Sequence, residues 1–194
     1  YGSVKTNVMR DLAALAAKNP ASHSALVKDL LTWCAAFANP KYNFSPAVQY
    51  NAQLIIASLN DKEATNSSLP VPSTKAYGSL YKGLSSTSDP VVVASLIGIH
   101  RHAELHRLGS KMSAKAKNLF SAAVYKLLKS ECPSSRSLSG HEWMQRRAMQ
   151  ILASFGDPGK GNAVAKALDE IILNEKASLA MRCSAIDALS RLKM

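Results

Sequence analysis

Three twelve-residue segments of this chain share one packing frame. Val48 to Leu59, Met144 to Phe155 and Met181 to Leu192 each open on Val or Met and carry Ala at the fifth position. Each then has apolar residues at the eighth and ninth positions and a large apolar residue at the twelfth. The positions are Ala52, Ile55, Ile56 and Leu59, then Ala148, Ile151, Leu152 and Phe155, then Ala185, Ala188, Leu189 and Leu192. Steps of three and four put such residues on one stripe of an α-helix. The small residue in the middle lets a neighbouring helix approach closely. The second and third segments are offset by 37 residues, and Asp89-Pro90-Val91-Val92 with Leu96 and Ile99 follows the same frame more loosely. A recurring unit of this length constrains the fold more than any other feature, because a unit of that kind buries its apolar face only against its neighbours.

Breakers punctuate the rest of the chain. Asn19-Pro20, Asn39-Pro40, Pro70-Val71-Pro72, Asp89-Pro90, Cys132-Pro133 and Gly156-Asp157-Pro158-Gly159 stand where a helix should start or stop. Between them the sequence predicts nine helices, over 4–18, 22–38, 45–60, 73–84, 89–107, 112–130, 139–155, 160–174 and 178–193. No stretch alternates apolar and polar residues for long, so no sheet is expected. The polar gaps Asn60–Thr74 and Ser130–Gly140 are expected to be ordinary loops between helices.

The ~40-residue helix pairs, the Asp89-Pro90 start and the Met181-Arg182-x-x-Ala185-x-x-Ala188-Leu189 helix resemble HEAT repeats. That resemblance implies an all-α fold, a right-handed α-solenoid of four to five helix pairs, with residues 1–194 as a single domain. It is strongest in the last two units. The motif is one of packing and specifies neither ligand nor reaction.

Composition narrows the function classes. The 194 residues are 47% hydrophobic and 19% charged, enough to build a core and too ordered in pattern for wholesale disorder. No apolar run reaches the ~18 residues of a membrane-spanning helix. The chain opens on Tyr1 rather than Met, so an upstream segment is expected. Three cysteines, Cys34, Cys132 and Cys183, form no zinc or disulfide motif and leave the compartment, cytoplasmic or exported, open. Cys34 and Cys183 are expected in the core and Cys132 at the surface.

Several motifs resemble chemistry and lack its spacing. His102-Ala-Glu104-Leu-His106 places two histidines four apart, but the glutamate of a zinc protease would follow the first histidine directly. The apolar stripe Val92, Leu96, Ile99 sets His106 at the edge of the buried face and leaves His102 solvated. Gly156-Asp-Pro-Gly159-Lys160-Gly161-Asn162 lacks the first glycine of a phosphate loop, since Ser154 stands there, and it follows a helix. It reads as a helix C-cap and a turn. Asp169 and Glu170 are adjacent and point about 100° apart on a helix. Asn66-Ser67-Ser68 matches a glycosylation acceptor in form only. The sequence carries no catalytic constellation and no metal or cofactor motif.

Two surfaces remain as candidates. On the helix over 139–155, Trp143, Arg147, Gln150 and Ser154 form the stripe beside the core, and Trp143 and Arg147 are spaced to stack as cation on π face. The same frame positions elsewhere hold Asn51 and Ser58, Ser95 and His102, and Ser184, Asp187 and Arg191. In a regular array these line up as one polar ladder, with Trp143, Arg147, Gln150, His102, Arg191 and Asn51 as partner-binding residues. The partner would be a protein segment or another domain of the same chain.

The second candidate is electrostatic. The net charge is +11, and the 47 residues from Arg101 to Arg147 carry +7 of it. Arg101, Arg107, Lys111, Lys115, Arg146 and Arg147 are the polyanion-binding candidates, for nucleic acid or an anionic surface. Glu142-Trp143-Met144-Gln145-Arg146-Arg147-Ala148 is similar to the Trp- and Arg-bearing helix of helical-repeat alkylpurine DNA glycosylases, which implies DNA binding through that helix. The acidic residue near a second Trp that this family uses has no match here: Trp33 has only Asp29 four residues before it.

Overall fold

The computed structural model describes residues 2–193 and is all-helical apart from one short strand pair. Its helices pack as two compact units that divide between Lys111 and Met112.

The first unit contains α1 (Gly2–Lys18), α2 (Pro20–Phe37), α3 (Pro46–Ser58), α4 (Tyr77–Gly83) and α5 (Asp89–Arg107). Caps set these boundaries. The Asn19 side chain accepts from the Ser22 amide at 3.1 Å, and Pro20 fills the first turn, where no amide donor is needed. Ser45 and Pro46 do the same for α3. Helix α5 lies against both α3 and α4. Ile56, Leu59, Leu80, Leu96 and Ile99, all fully buried, form the centre of the unit. Gly98 makes the close approach possible: a Cβ there would stand 2.6 Å from Ala57 Cβ and 2.8 Å from Leu80 Cδ2.

The second unit contains α6 (Ala114–Leu128), α7 (Leu138–Phe155), α8 (Ala163–Leu173) and α9 (Leu179–Ser190). Ser113, Ser137 and Ser178 cap α6, α7 and α9 through their hydroxyls. Helix α7 packs on α6 and α9, and α8 on α9. Phe120, Met149, Ile151, Leu152, Leu168 and Ala185 are fully buried. Gly156 ends α7 with φ +65°, and its amide reaches the carbonyls of Leu152 and Ala153, so the glycine-rich stretch is the expected C-cap and turn.

Several sequence expectations need correction. Asn60–Thr74 is not a plain loop: β1 (Asn60–Lys62) pairs antiparallel with β2 (Val71–Pro72). Helix α3 therefore stops at Ser58, short of residue 60, because Leu59 turns extended to bury its side chain. The helices expected from residues 73 and 160 begin instead with 3-10 turns, Thr74–Ala76 and Lys160–Asn162, and positive φ at Gly161 and Asn162 holds the second apart from α8. Cys183 is exposed, since α9 buries Met181, Ala185 and Ala188 and Cys183 falls on the other face. Cys34 is buried, and burial pushes its thiol up to about 11. Cys132 is half-buried rather than open, with its Sγ 3.4 Å from the Arg136 carbonyl.

Candidate functional site

Helix α7 carries the first candidate surface. Its core stripe holds Met144, Ala148, Ile151, Leu152 and Phe155, all buried as the packing frame requires. One step around the helix, Trp143 and Arg147 are half-buried, and the Arg147 guanidinium lies over the indole, 5.2 Å from the ring centroid. A stacked pair of this kind contributes about 0.5–2 kcal/mol, more as it is desolvated. Burial lowers the pKa of Arg147. Gln150 is exposed on the next turn. Trp143, Arg147 and Gln150 thus place an aromatic ring, a planar cation and a polar amide in a row along α7.

The rest of the expected ladder does not present a common row of side chains. Ser95, His102 and Ser154 are buried. The physical reason is local: a serine inside a helix satisfies its own hydroxyl on the carbonyl four residues back, and so needs no water. Ser58, Ser95, Ser154 and Ser184 donate in this way to Leu54, Val91, Gln150 and Ala180 at 2.7–2.8 Å. Asn51 is half-buried and donates to the Ala47 carbonyl at 2.7 Å. Arg191 is exposed and paired with Asp187 at 3.0 Å.

His102 departs furthest from its expected place. It is 1% exposed, not solvated, because α5 is covered by α4 as well as α3 and its buried face is wider than the Val92–Leu96–Ile99 stripe. The Tyr77 ring meets it edge-on, centroids 5.4 Å apart. Neither ring nitrogen has a hydrogen-bond partner among the described residues. Burial, and then Arg101, push its pKa down to about 3, with Asp61 opposing. It is a neutral core residue and offers nothing to a partner or a metal. His106 is half-buried, its Nδ1 3.0 Å from the Ser110 carbonyl.

The basic candidates divide in the same way. Arg101 is half-buried and turned inward: its Nη2 donates to Asn60 Oδ1 at 2.6 Å and its Nη1 to the Ala57 carbonyl at 3.4 Å. Burial lowers its pKa, and Glu63 partly offsets that. It is therefore a structural cation. Arg107 is held by Glu104 at 2.7 Å on the same helix. Lys111 and Lys115 are exposed, and Arg146 is half-buried with an Nε that has no partner among the described residues.

Sequence reasoning missed the network that holds Arg101. Asn60 Nδ2 donates to Glu63 Oε2 at 2.6 Å, and Glu63 Oε1 lies 3.3 Å from His23 Nε2. His23 and Asn60 are each 4% exposed. One chain of contacts thus ties α2, the strand pair and α5 together across 78 residues of sequence, from His23 to Arg101. Asp61 fixes the other side of the strand pair by accepting from the Ser73 hydroxyl at 2.8 Å and the Thr74 amide at 3.1 Å. The arrangement is positional: each polar group is satisfied by another side chain or a carbonyl, with none left pointing at a reacting atom.

Among the described residues no group of three or more His, Cys, Asp or Glu could hold a metal ion, and no helix is long and apolar enough to cross a membrane. The fold and surface define an all-α protein with a preformed aromatic–arginine patch. Compared with protein-family models, curated proteins and solved structures, the chain matches none.

Proposed function

We propose that this chain is a non-catalytic interaction module, built of HEAT-like helix pairs arranged as a right-handed solenoid, that docks a protein segment on the α7 surface. The observation that carries the reading is the stacked pair of Trp143 and Arg147 beside the exposed Gln150. Tryptophan and arginine in partly desolvated positions are the residue types that dominate binding energy at protein interfaces. The repeat reading draws support from α7 and α9, whose equivalent residues Met144 and Met181, Ala148 and Ala185, and Ile151 and Ala188 are all buried. The helix order, α6 with α7 and then α8 with α9, is that of two successive pairs.

Polyanion binding is the second reading, favoured by the exposed Lys111 and Lys115. It is weakened by the inward commitment of Arg101 and the Arg107–Glu104 pair. A fluorescence-anisotropy titration with labelled single- and double-stranded DNA at two salt concentrations separates the readings. Protein docking predicts at most weak binding at low salt, lost near physiological salt and unchanged in Arg147→Ala. Micromolar binding that survives in part at physiological salt and weakens about tenfold in Arg147→Ala would favour the polyanion reading, since each phosphate contact adds about one unit to the salt slope.

A further inference from the structure

The first unit holds a cleft of about 530 Å³ that the α7 surface does not involve. Its walls are the end of α2 (Ala35, Ala38), the turn after it (Asn39, Pro40), Gln53 of α3, the last turn of α4, and the start of α5. That volume lies in the range of sites for small ligands. The floor is built closely. A Cβ on Gly83 would stand 2.0 Å from Ser95 Oγ and 2.8 Å from Gln53 Nε2, so only a glycine lets α4 lie this near the Gln53–Ser95 pair.

Two groups in the cleft are uncommitted. Gln53 is 2% exposed, and its Nε2 donates to the Ser79 carbonyl at 3.2 Å and Ser95 Oγ at 2.9 Å. Those two acceptors fix the orientation of the amide, because the Ser95 hydroxyl already donates to the Val91 carbonyl. Gln53 Oε1 therefore accepts from nothing among the described residues, yet it is not sealed away from solvent. An amide oxygen that is held in place, open to the cleft and without a protein donor can accept from a ligand N–H. The second group is Lys82, exposed on the rim, with no ion pair or hydrogen bond among the described residues. It is the one charged residue lining the cleft.

We propose that this cleft binds a monocarboxylate that also bears an amide N–H: the carboxylate on Lys82, the N–H on Gln53 Oε1. Two features select this chemistry over a phosphate. A single lysine matches a single negative charge. Of the three helix ends that line the cleft, two, those of α2 and α4, are C-terminal, and their dipoles favour N–H donors and oppose a dianion against the single N-terminal end of α5. The same chemistry comes from an aspartate or glutamate within an extended peptide, or from a free acylated amino acid.

The test is a titration of ¹⁵N-labelled protein, followed by amide shifts, with N-acetyl-aspartate N-methylamide. Its asparagine analogue, a pentapeptide with aspartate between glycines, and inorganic phosphate run in parallel. The proposal predicts saturable shifts at Gly83, Ser86, Thr87 and the Gln53 side-chain amide, with the asparagine analogue about tenfold weaker for want of the charge-assisted contact. Lys82→Met, a change at an exposed and unpaired position, keeps the spectrum of the folded protein and removes the preference for aspartate. A pentapeptide that binds tighter than the small acid assigns the site to a peptide segment; equal binding assigns it to a free acid. No saturable shift at these residues, equal binding of the asparagine analogue, tighter binding of phosphate, or an unchanged preference in Lys82→Met overturns the proposal. None of these outcomes depends on Trp143 or Arg147, so the two surfaces stand or fall separately.

Discussion

Urea denaturation at falling pH should show stability dropping below pH 6.5, with a component that disappears when His102 is replaced by leucine. The imidazole is folded into a site where burial and Arg101 lower its pKa to about 3, whereas the unfolded chain takes up the proton near the ordinary value of 6.5. Below pH 6.5 the unfolded state therefore binds more protons than the folded one, and stability falls with pH. The limiting slope for one such group is about 1.4 kcal/mol per pH unit, so the step from pH 6.5 to 4.5 costs about 2–3 kcal/mol. The loss levels off near pH 3, where the folded protein also takes up the proton. Other titrating groups add their own pH dependence to both proteins, and the difference between wild type and His102→Leu isolates the histidine. At neutral pH the leucine variant should match or exceed the wild type, because it removes two buried nitrogens that have no partner among the described residues. Curves that run parallel from pH 7.5 to 4 would show that His102 is not buried as a neutral group.

The second large effect lies at Asn60. Replacing it by leucine keeps the volume and removes both hydrogen bonds at the centre of the His23–Glu63–Asn60–Arg101 network. The Arg101 guanidinium and the Glu63 carboxylate are then left in partly buried positions without their shared partner. Removing one member of a buried charged network costs about 2–4 kcal/mol, far above the few tenths of an exposed ion pair. For a chain of this size that corresponds to a fall in Tm of about 5–15 °C. Arg107→Ala, which removes only the surface pair with Glu104, is the control and should leave stability close to that of wild type. Equal losses in the two variants would show that the network contributes no more than a surface contact.

The parts of this fold legible in the sequence are those decided locally. Asn19-Pro20 and Ser45-Pro46 announce helix starts because cap and proline act within one turn. Met144, Ala148, Ile151, Leu152 and Phe155 are buried because a stripe at steps of three and four has one place to go. Gly156 ends α7 because the left-handed conformation suits glycine.

What escaped the sequence depends on distant partners. Arg101 counts as surface charge until Asn60, 41 residues earlier, is brought beside it. His102 sits one step off the obvious apolar stripe, and only the packing of α4 as well as α3 on α5 covers it. Ser95 and Ser154 look like polar rungs, yet each hydroxyl is satisfied inside its own helix. The cleft had one local sign. Gln49 and Gln53 lie four apart on the buried face of α3 with Ala52 and Ile56, where amides are out of place unless something uses them. Gln49 is used by Phe44 and Ser88; Gln53 keeps its oxygen free.

The central claim is that the Trp143–Arg147 surface docks a protein segment, and a peptide-display selection tests it most directly. A random library is enriched on the wild-type protein and counter-selected on a Trp143→Ala/Arg147→Ala variant whose circular dichroism and Tm show it folded. The account predicts convergent peptides that bind the wild type and lose at least tenfold in affinity on the variant. Peptides that bind both proteins equally, or a selection that never converges on the wild type, would contradict it.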